Sequence, residues 1–338
     1  MISIKPTVRK WTPAWLRPGV LLAYRKWQEV ASSEFDRREF SSSRFRSLRS
    51  ASKEQLEGKL IFHAHSLEKG LSHADFRFNS GKAALQSINA SLEAYRSKQF
   101  PQDGLPYLNA LATLREYLDK HRDAGVNPVV MKSIFSTELL SLVEVCESRL
   151  GGAELVNKSD PDGGTSDFRS VLSGRRSVRE FADQPVGLAR ILPAIEMATR
   201  APSVCNRQSS RVKVVTDREL IGPLLEIQGG MAGYALPPAL LVVTSDASSF
   251  LEPTERNQPF VDGGLFAMCL LLALEYNGLA SCPLNTMMPP SKEKQVRTIL
   301  GLDRAERLVV FIAVGEFSSG VLVPKSFRVP VKDIVTEY

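Results

Sequence analysis

A chain of 338 residues, 43% of them hydrophobic, can bury a sizeable core and is expected to hold more than one structural unit. Its longest apolar run, Leu265 to Tyr276, is about half of what a bilayer-spanning helix needs, and the N-terminus carries no charged-then-apolar leader pattern, so neither a span nor secretion is expected. The net charge of +6 is lopsided: residues 1–50 hold eleven Lys or Arg against four Asp or Glu, which leaves the rest close to neutral.

Residues 1–50 therefore read as a basic arm, with Trp11, Trp15 and Trp27 along it and a Ser/Arg-rich end (SSSRFRSLRS, 41–50) typical of a flexible connector. Such an arm is solvated, packs on its own protein, or touches an acidic membrane surface or nucleic acid. Balanced charge beyond residue 50 and the lack of any recognised module argue against nucleic acid; peripheral membrane contact through the arm stays open.

Residues 51–150 form an all-helical region. Leu56, Leu60, Ala64, Leu67 and Leu71 make a stripe at spacings of three and four, and amphipathic runs follow at 82–99, 107–122 and 128–150, the last opened by Pro128. The stretch 151–167 (GGAELVNKSDPDGGTSD) has no periodicity and reads as a linker. From 168 to 338 the texture is mixed. A short helix begins at Asp167, a plausible N-cap, and a second covers 188–199. Arg211–Thr216, Ala239–Thr244 and Leu308–Val314 are strand candidates, the last two continuous enough to be central. Gly263–Asn277 is apolar on nearly every side, as for a helix buried between layers or across a subunit boundary. The tail from Ser318 reads as an extended arm.

The four cysteines (146, 205, 269, 282) have neither pairing nor metal-ligand spacing, so a reducing compartment, the cytoplasm, is expected. His63, His65 and His73 gather near Glu68 and Lys69, but the pattern lacks the i, i+4 His pair of helical zinc sites, and no metal is expected.

The most informative run is Ser173-Gly-Arg-Arg-Ser-Val-Arg-Glu-Phe181. Three guanidinium groups, Arg175, Arg176 and Arg179, surround Ser177, a density that is costly unless an anion neutralises it; planar Arg forks suit phosphate oxygens. If a helix continues through the run, Arg175 and Arg179 share a face. Alone, the run also reads as a solvated helix end. Three further segments accompany it: the polar loop Arg200–Arg211, the turn Cys282-Pro-Leu-Asn285, and Pro324-Lys-Ser-Phe-Arg-Val-Pro330. In this order and spacing, residues 168–338 resemble the FMN-dependent nitroreductase-like family.

The resemblance implies an α+β fold, a mixed and mainly antiparallel sheet flanked by helices, here preceded by the helical region. It implies FMN as cofactor and NAD(P)H as electron donor. Arg175 and Ser177 match residues that hold the FMN phosphate and ribityl chain, with Arg176 contributing from its backbone, and Arg179 matches a cation beside the pyrimidine edge. Pro202, Ser203, Val204 and Asn206 match a loop laid against the ring by the partner subunit; Pro283, Leu284 and Asn285 match a loop on its other side. Lys325 and Arg328 match tail cations at the phosphate. Two departures stand out: Gln208 is followed by Ser209 and Ser210 where the family often has Pro-Trp, and Phe327 sits before Arg328.

The implied activity is hydride transfer from NAD(P)H through the flavin to a small organic acceptor by a ping-pong route, in a homodimer with flavin at the interface. No separate catalytic acid or base is nominated, because no histidine lies beyond residue 121. The block from His65 to Gly81 resembles an N-terminal extension of nitroreductase-like proteins linked to polysaccharide biosynthesis. It is expected to cover the flavin mouth. The alternative is a non-catalytic flavoprotein, a redox sensor or scaffold in a larger assembly.

Overall fold

The computed structural model describes residues 13, 15–43, 45–156 and 167–338. Trp11 and the rest of residues 1–12 lie outside them, as do residues 157–166 of the expected linker.

The described part of the basic arm is not a loose connector. Arg17–Ser43 forms a 27-residue helix, α1. Glu34 accepts from Arg37 and Arg38, three and four positions on, which favours helix locally. Arg256 forks the Asp36 carboxylate at 2.7 Å through two nitrogens, and Arg25 meets Glu252 at 3.2 Å. Trp15 and Trp27 remain exposed.

The helical region opens with α2 (Lys53–Leu71), whose Ser52 and Gln55 form a reciprocal cap. The apolar stripe at Leu56, Leu60, Ala64, Leu67 and Leu71 is fully inside, packed against α3 (Lys82–Ser97) and α4 (Leu105–Asp123). The run expected as one helix over 128–150 is two, α5 (Val129–Ile134) and α6 (Thr137–Val145). Ser136 turns extended and its hydroxyl takes the Leu139 N–H at 3.3 Å, so a new N-terminus wins over continuation.

The stretch read as a linker begins with a strand, β1 (Ala153–Val156), and the tail read as an arm begins with another, β6 (Val321–Pro324); the two pair antiparallel. The pair forms because Val321 and Val323 find an apolar cluster with Val178 and Ala280.

In the second half, α7 (Phe168–Gly174) is capped by Asp167, as expected, and α8 is Leu188–Ala198. β2 (Ser210–Val215), α9 (Arg218–Gln228), β3 (Ala239–Asp246), α10 (Gln258–Tyr276), β4 (Leu279–Leu284), α11 (Pro290–Leu300) and β5 (Glu306–Glu316) follow. The four strands run β2-β3-β5-β4, all antiparallel, and Ser177 adds a parallel bridge to Ser281 on β4. The sheet is thus mixed and mainly antiparallel. One face packs on α8 and α10, the other on α9 and α11. Central β3 and β5 are covered on both faces, which is why their sequences are continuously apolar.

The apolar run around α10 is longer than the sequence reading allowed. With the preceding turn, Pro253–Tyr276 has the length and composition of a membrane span, but 56% of its most apolar 18-residue stretch is buried in this fold, where it lies across the sheet. Its other side shows Phe260, Val261, Leu265 and Met268 to solvent.

At Gly315 on β5 an added Cβ would lie 2.6 Å from the Phe181 side chain. Gly315→Ala is therefore expected to cost about 1–3 kcal/mol of overpacking, read as a lower urea midpoint with unchanged slope; an unchanged midpoint would mean that Phe181 moves freely.

Candidate functional site

Helix α7 stops at Gly174, and Arg175 leaves it extended (φ −61°, ψ 127°). Val178 N–H donates to the Ser281 carbonyl at 3.0 Å, fastening the run alongside β4. The helical spacing considered for Arg175 and Arg179 is therefore replaced by strand alternation, which also puts them on one side, together with Ser177. Val178 turns into the cluster with Ala280, Val321 and Val323. Arg176 reaches the Glu154 carboxylate on β1 at 2.6 Å, so its side chain braces the β1–β6 pair.

The guanidinium groups on the first side are poorly satisfied. Arg179 is only 7% exposed, and its Nε and Nη1 have no hydrogen-bond partner; neither does the buried Arg175 Nη1. These are three of the four such buried side-chain atoms among the described residues. Native folds satisfy buried donors as a rule, so these orphaned N–H groups stand out as donors that the described chain leaves without acceptors. Burial, then the charges of Arg328 and Arg176, pull Arg175 below the usual arginine range. Burial pushes the Cys282 thiol up, while Arg179, Lys69 and Arg175 pull it back. The cations thus surround the middle of β4.

The tail brings Arg328 to Arg175 and ties Lys325 to the helical half. Lys325 N–H donates to the Gly152 carbonyl at 3.1 Å, continuing the β1–β6 ladder. Its ammonium sits 3.1 Å from Glu116 and 2.8 Å from the Gly151 carbonyl, so Lys325 also ties the tail to the helical half. Arg328 is exposed, bonds the Ser326 carbonyl, and adds its charge beside Arg175.

Pro283 and Leu284 end β4 opposite Ile312 and Phe311. The Asn285 carbonyl accepts from Gln228 Nε2 at 3.0 Å, and an added Cβ on Gly230 would meet Leu284 at 3.1 Å. The Gln228–Gly230 turn was not singled out from sequence. Its signal is the left-handed cap at Gly229 (φ 82°), a Gly-Gly step that lets backbone approach the end of β4 closely.

The loop holding Pro202, Ser203, Val204 and Asn206 is anchored elsewhere, on α10. Val204 N–H donates to buried Asp262 at 3.1 Å, and a pocket of about 230 Å³ lies between Pro202, Ser203, Asp262 and Phe266. Cys205, Asn206 and Gln208 all have positive φ (49°, 54°, 49°), a concentration of backbone strain typical of ligand-facing loops. Ser209, where the aromatic of the resemblance is missing, is buried and shares a hydrogen bond with Ser245 at 2.9 Å.

The helical half packs against the second half near Glu180 and Tyr234. Tyr234 donates to the Lys69 carbonyl at 2.7 Å and stacks on His73 with ring centroids 3.8 Å apart, while Ala74 N–H donates to Glu180 at 3.0 Å. Between the halves lies a cleft of about 510 Å³, walled by His73, Arg77, Glu180, Phe181 and Tyr234. Glu68, part of the group weighed for metal, accepts instead from Asn109, Thr113 and the Gly152 N–H. Phe76 and Phe78 pack edge-on against buried His121, which the Asn79 N–H also engages.

The nitroreductase family model matches residues 172–244 and 236–316. An NADH dehydrogenase from Thermus thermophilus is 28% identical, covering 44% of this chain and 86% of its own length. A protein from Archaeoglobus fulgidus named as an NADH dehydrogenase/NAD(P)H nitroreductase is 28% identical, covering 43% and 80%. A crystal structure under the same name from Parabacteroides distasonis is 25% identical, covers 52% of this chain and 99% of its own, and superposes with a TM-score of 0.46.

Proposed function

We propose that this chain is an FMN-dependent oxidoreductase that draws hydride from NAD(P)H and delivers it to a small organic acceptor, a reading supported by the match of residues 172–316 to the nitroreductase family model and by the similarity to the two relatives above. The observation that carries the reading is the set of unpaired buried guanidinium nitrogens on Arg175 and Arg179, flanked by Arg328. Their donors fit a dianionic phosphate and the electron-rich edge of a flavin, and no carboxylate in the described chain occupies them.

In this reading Arg175, with Ser177, Arg328 and Lys325, holds the FMN phosphate, and the Arg176 backbone lines it. Arg179 holds the pyrimidine edge, where a fixed cation favours the reduced cofactor. Pro283, Leu284 and Asn285 flank the ring. When bound, FMN supplies a hydride-accepting N5 that donor and acceptor use in turn, a ping-pong alternation. Without a histidine in this half of the chain, the protein positions and solvent supplies the proton. The test is reconstitution: the purified protein takes up FMN at one per chain, and failure to bind it contradicts the proposal.

The strained 202–206 loop completes the site in a homodimer, where it would meet the partner's flavin. Exposed Phe260, Val261, Leu265 and Met268 beside that loop, with Leu188 and Leu192 on α8, form the apolar face such a dimer buries. Val261→Asp is expected to give a monomer by light scattering and to weaken FMN binding at least tenfold; a dimer with full flavin would contradict this role.

The second reading is a redox sensor or scaffold in a polysaccharide-biosynthesis assembly, resting on the 65–81 block. Its flavin would stay oxidised with both nicotinamides. The cleft beside the site favours catalysis, since a sensor needs no room for an acceptor. The four cysteines are all free, which fits a cytoplasmic setting.

A further inference from the structure

The helical half lies outside the matched family region, yet it sends a cation into the site. Lys69 stands in the last turn of α2 and points its ammonium at the Gly230 carbonyl, 3.4 Å away. Gly230 in turn backs on Leu284, and Gln228 holds the Asn285 carbonyl, so Lys69 arrives at the end of β4 beside the residues assigned to the flavin ring. A residue that merely glued the halves together would be expected to sit on a carboxylate, whereas the Lys69 ammonium is bonded to a carbonyl. Glu180 accepts from the Ala74 N–H, and the cation whose charge acts on Lys69 is Arg179.

Like charges brought together in a half-buried place need a reason. Burial and then the charge of Arg179 hold Lys69 below the ordinary lysine range, while Cys282 raises it. The α2 C-terminus favours a cation there, which helps offset the repulsion. The backbone is fixed from both sides: the Lys69 carbonyl accepts from Tyr234, and neighbouring Glu68 is locked by Asn109, Thr113 and Gly152. The side chain is therefore aimed by rigid structure at a spot where negative charge is missing.

We propose that Lys69 completes the FMN site from the helical half, acting with Arg179 as a second fixed cation that binds the reduced cofactor more tightly than the oxidised one. The inference rests on the FMN reading above and adds to it a residue and a role: the helical half is part of the redox site. Reduction places negative charge on the flavin's pyrimidine side, and preorganised cations stabilise that charge without reorganising.

The test uses the full-length holoprotein. Lys69→Met is expected to bind reduced FMN about tenfold more weakly relative to oxidised FMN, which lowers the two-electron midpoint potential by about 30 mV. Lys69→Arg keeps the charge and retains the potential to within a third of that shift. Because Tyr234 bonds the Lys69 carbonyl and not its side chain, the docking survives in both variants, and a melting temperature of the apoprotein no lower than that of the wild type checks this. If Lys69→Met does not fold, Lys69→Gln carries the same measurement. A flavin-loaded Lys69→Met or Lys69→Gln protein with the wild-type potential overturns the inference and leaves the FMN reading standing. A wild-type protein that takes up no FMN defeats that reading instead.

Discussion

Arg175→Met will weaken FMN binding about 100-fold and leave riboflavin binding nearly unchanged, while making the apoprotein more stable by about 1 kcal/mol. The two effects have opposite signs for one reason. In the chain alone, Arg175 Nη1 is buried with no acceptor and its charge is crowded by Arg328 and Arg176, so removing the group relieves a cost. With FMN present, the same guanidinium gains charge-assisted hydrogen bonds to phosphate, each worth about 1.5–3 kcal/mol. Riboflavin lacks the phosphate and does not register the loss. Fluorescence titration with both flavins, and thermal unfolding without either, measure the three quantities. Equal losses for FMN and riboflavin would place Arg175 away from the phosphate.

Glu68→Ala is expected to destabilise the helical half by about 2–3 kcal/mol, and Glu68→Gln by less than half as much. Glu68 is 2% exposed and one oxygen serves Asn109 Nδ2 at 3.1 Å, Thr113 Oγ1 at 3.3 Å and the Gly152 N–H at 3.3 Å. Alanine leaves the Gly152 N–H and one Asn109 amide proton without their acceptor, although Asn109 keeps the Leu150 carbonyl at 2.8 Å and Thr113 the Asn109 carbonyl at 2.9 Å, whereas glutamine keeps a carbonyl oxygen in place. Since Gly152 precedes β1, the loss should spread to the β1–β6 pair and loosen the tail cations. Urea unfolding followed by circular dichroism gives the stability, and the FMN affinity of Glu68→Ala should fall with it. Equal stability of the alanine and wild-type proteins would show that water replaces the carboxylate.

The charge density of the arginine run is visible in the sequence because it is local: three guanidinium groups flank a hydroxyl within residues 175–179. How the run is held was not legible. Gly174 ends α7, but that the next residues would lie along β4 depends on Ser281, more than a hundred positions away. The 283–285 turn and the 202–206 loop were likewise readable as separate loops, and only the fold shows that they are anchored on different elements. β1 and β6 escaped because four-residue strands in Gly-rich and Pro-rich surroundings carry almost no periodic signal; each depends on the other and on distant partners such as Val178 and Arg176.

Around Glu68 and Lys69 the sequence offered the right residues with the wrong grouping. Three histidines and a glutamate within a short span invite thoughts of a metal, yet Glu68 points inward to Asn109 and Thr113 while His73 stacks outward on Tyr234. The direction of a helical side chain follows from packing partners, and those partners lie in other elements. The split of 128–150 into α5 and α6 was written locally, in Ser136, but a serine N-cap competes with strong apolar periodicity on both sides and the pattern alone favours a single helix.

The most direct test of the whole account is an anaerobic titration of the FMN-loaded protein with NADH and with NADPH, following the visible flavin absorbance. The account predicts that at least one nicotinamide bleaches the flavin completely at one equivalent, within seconds, and that an added acceptor restores the colour. A flavin that binds but stays oxidised with both donors would contradict it.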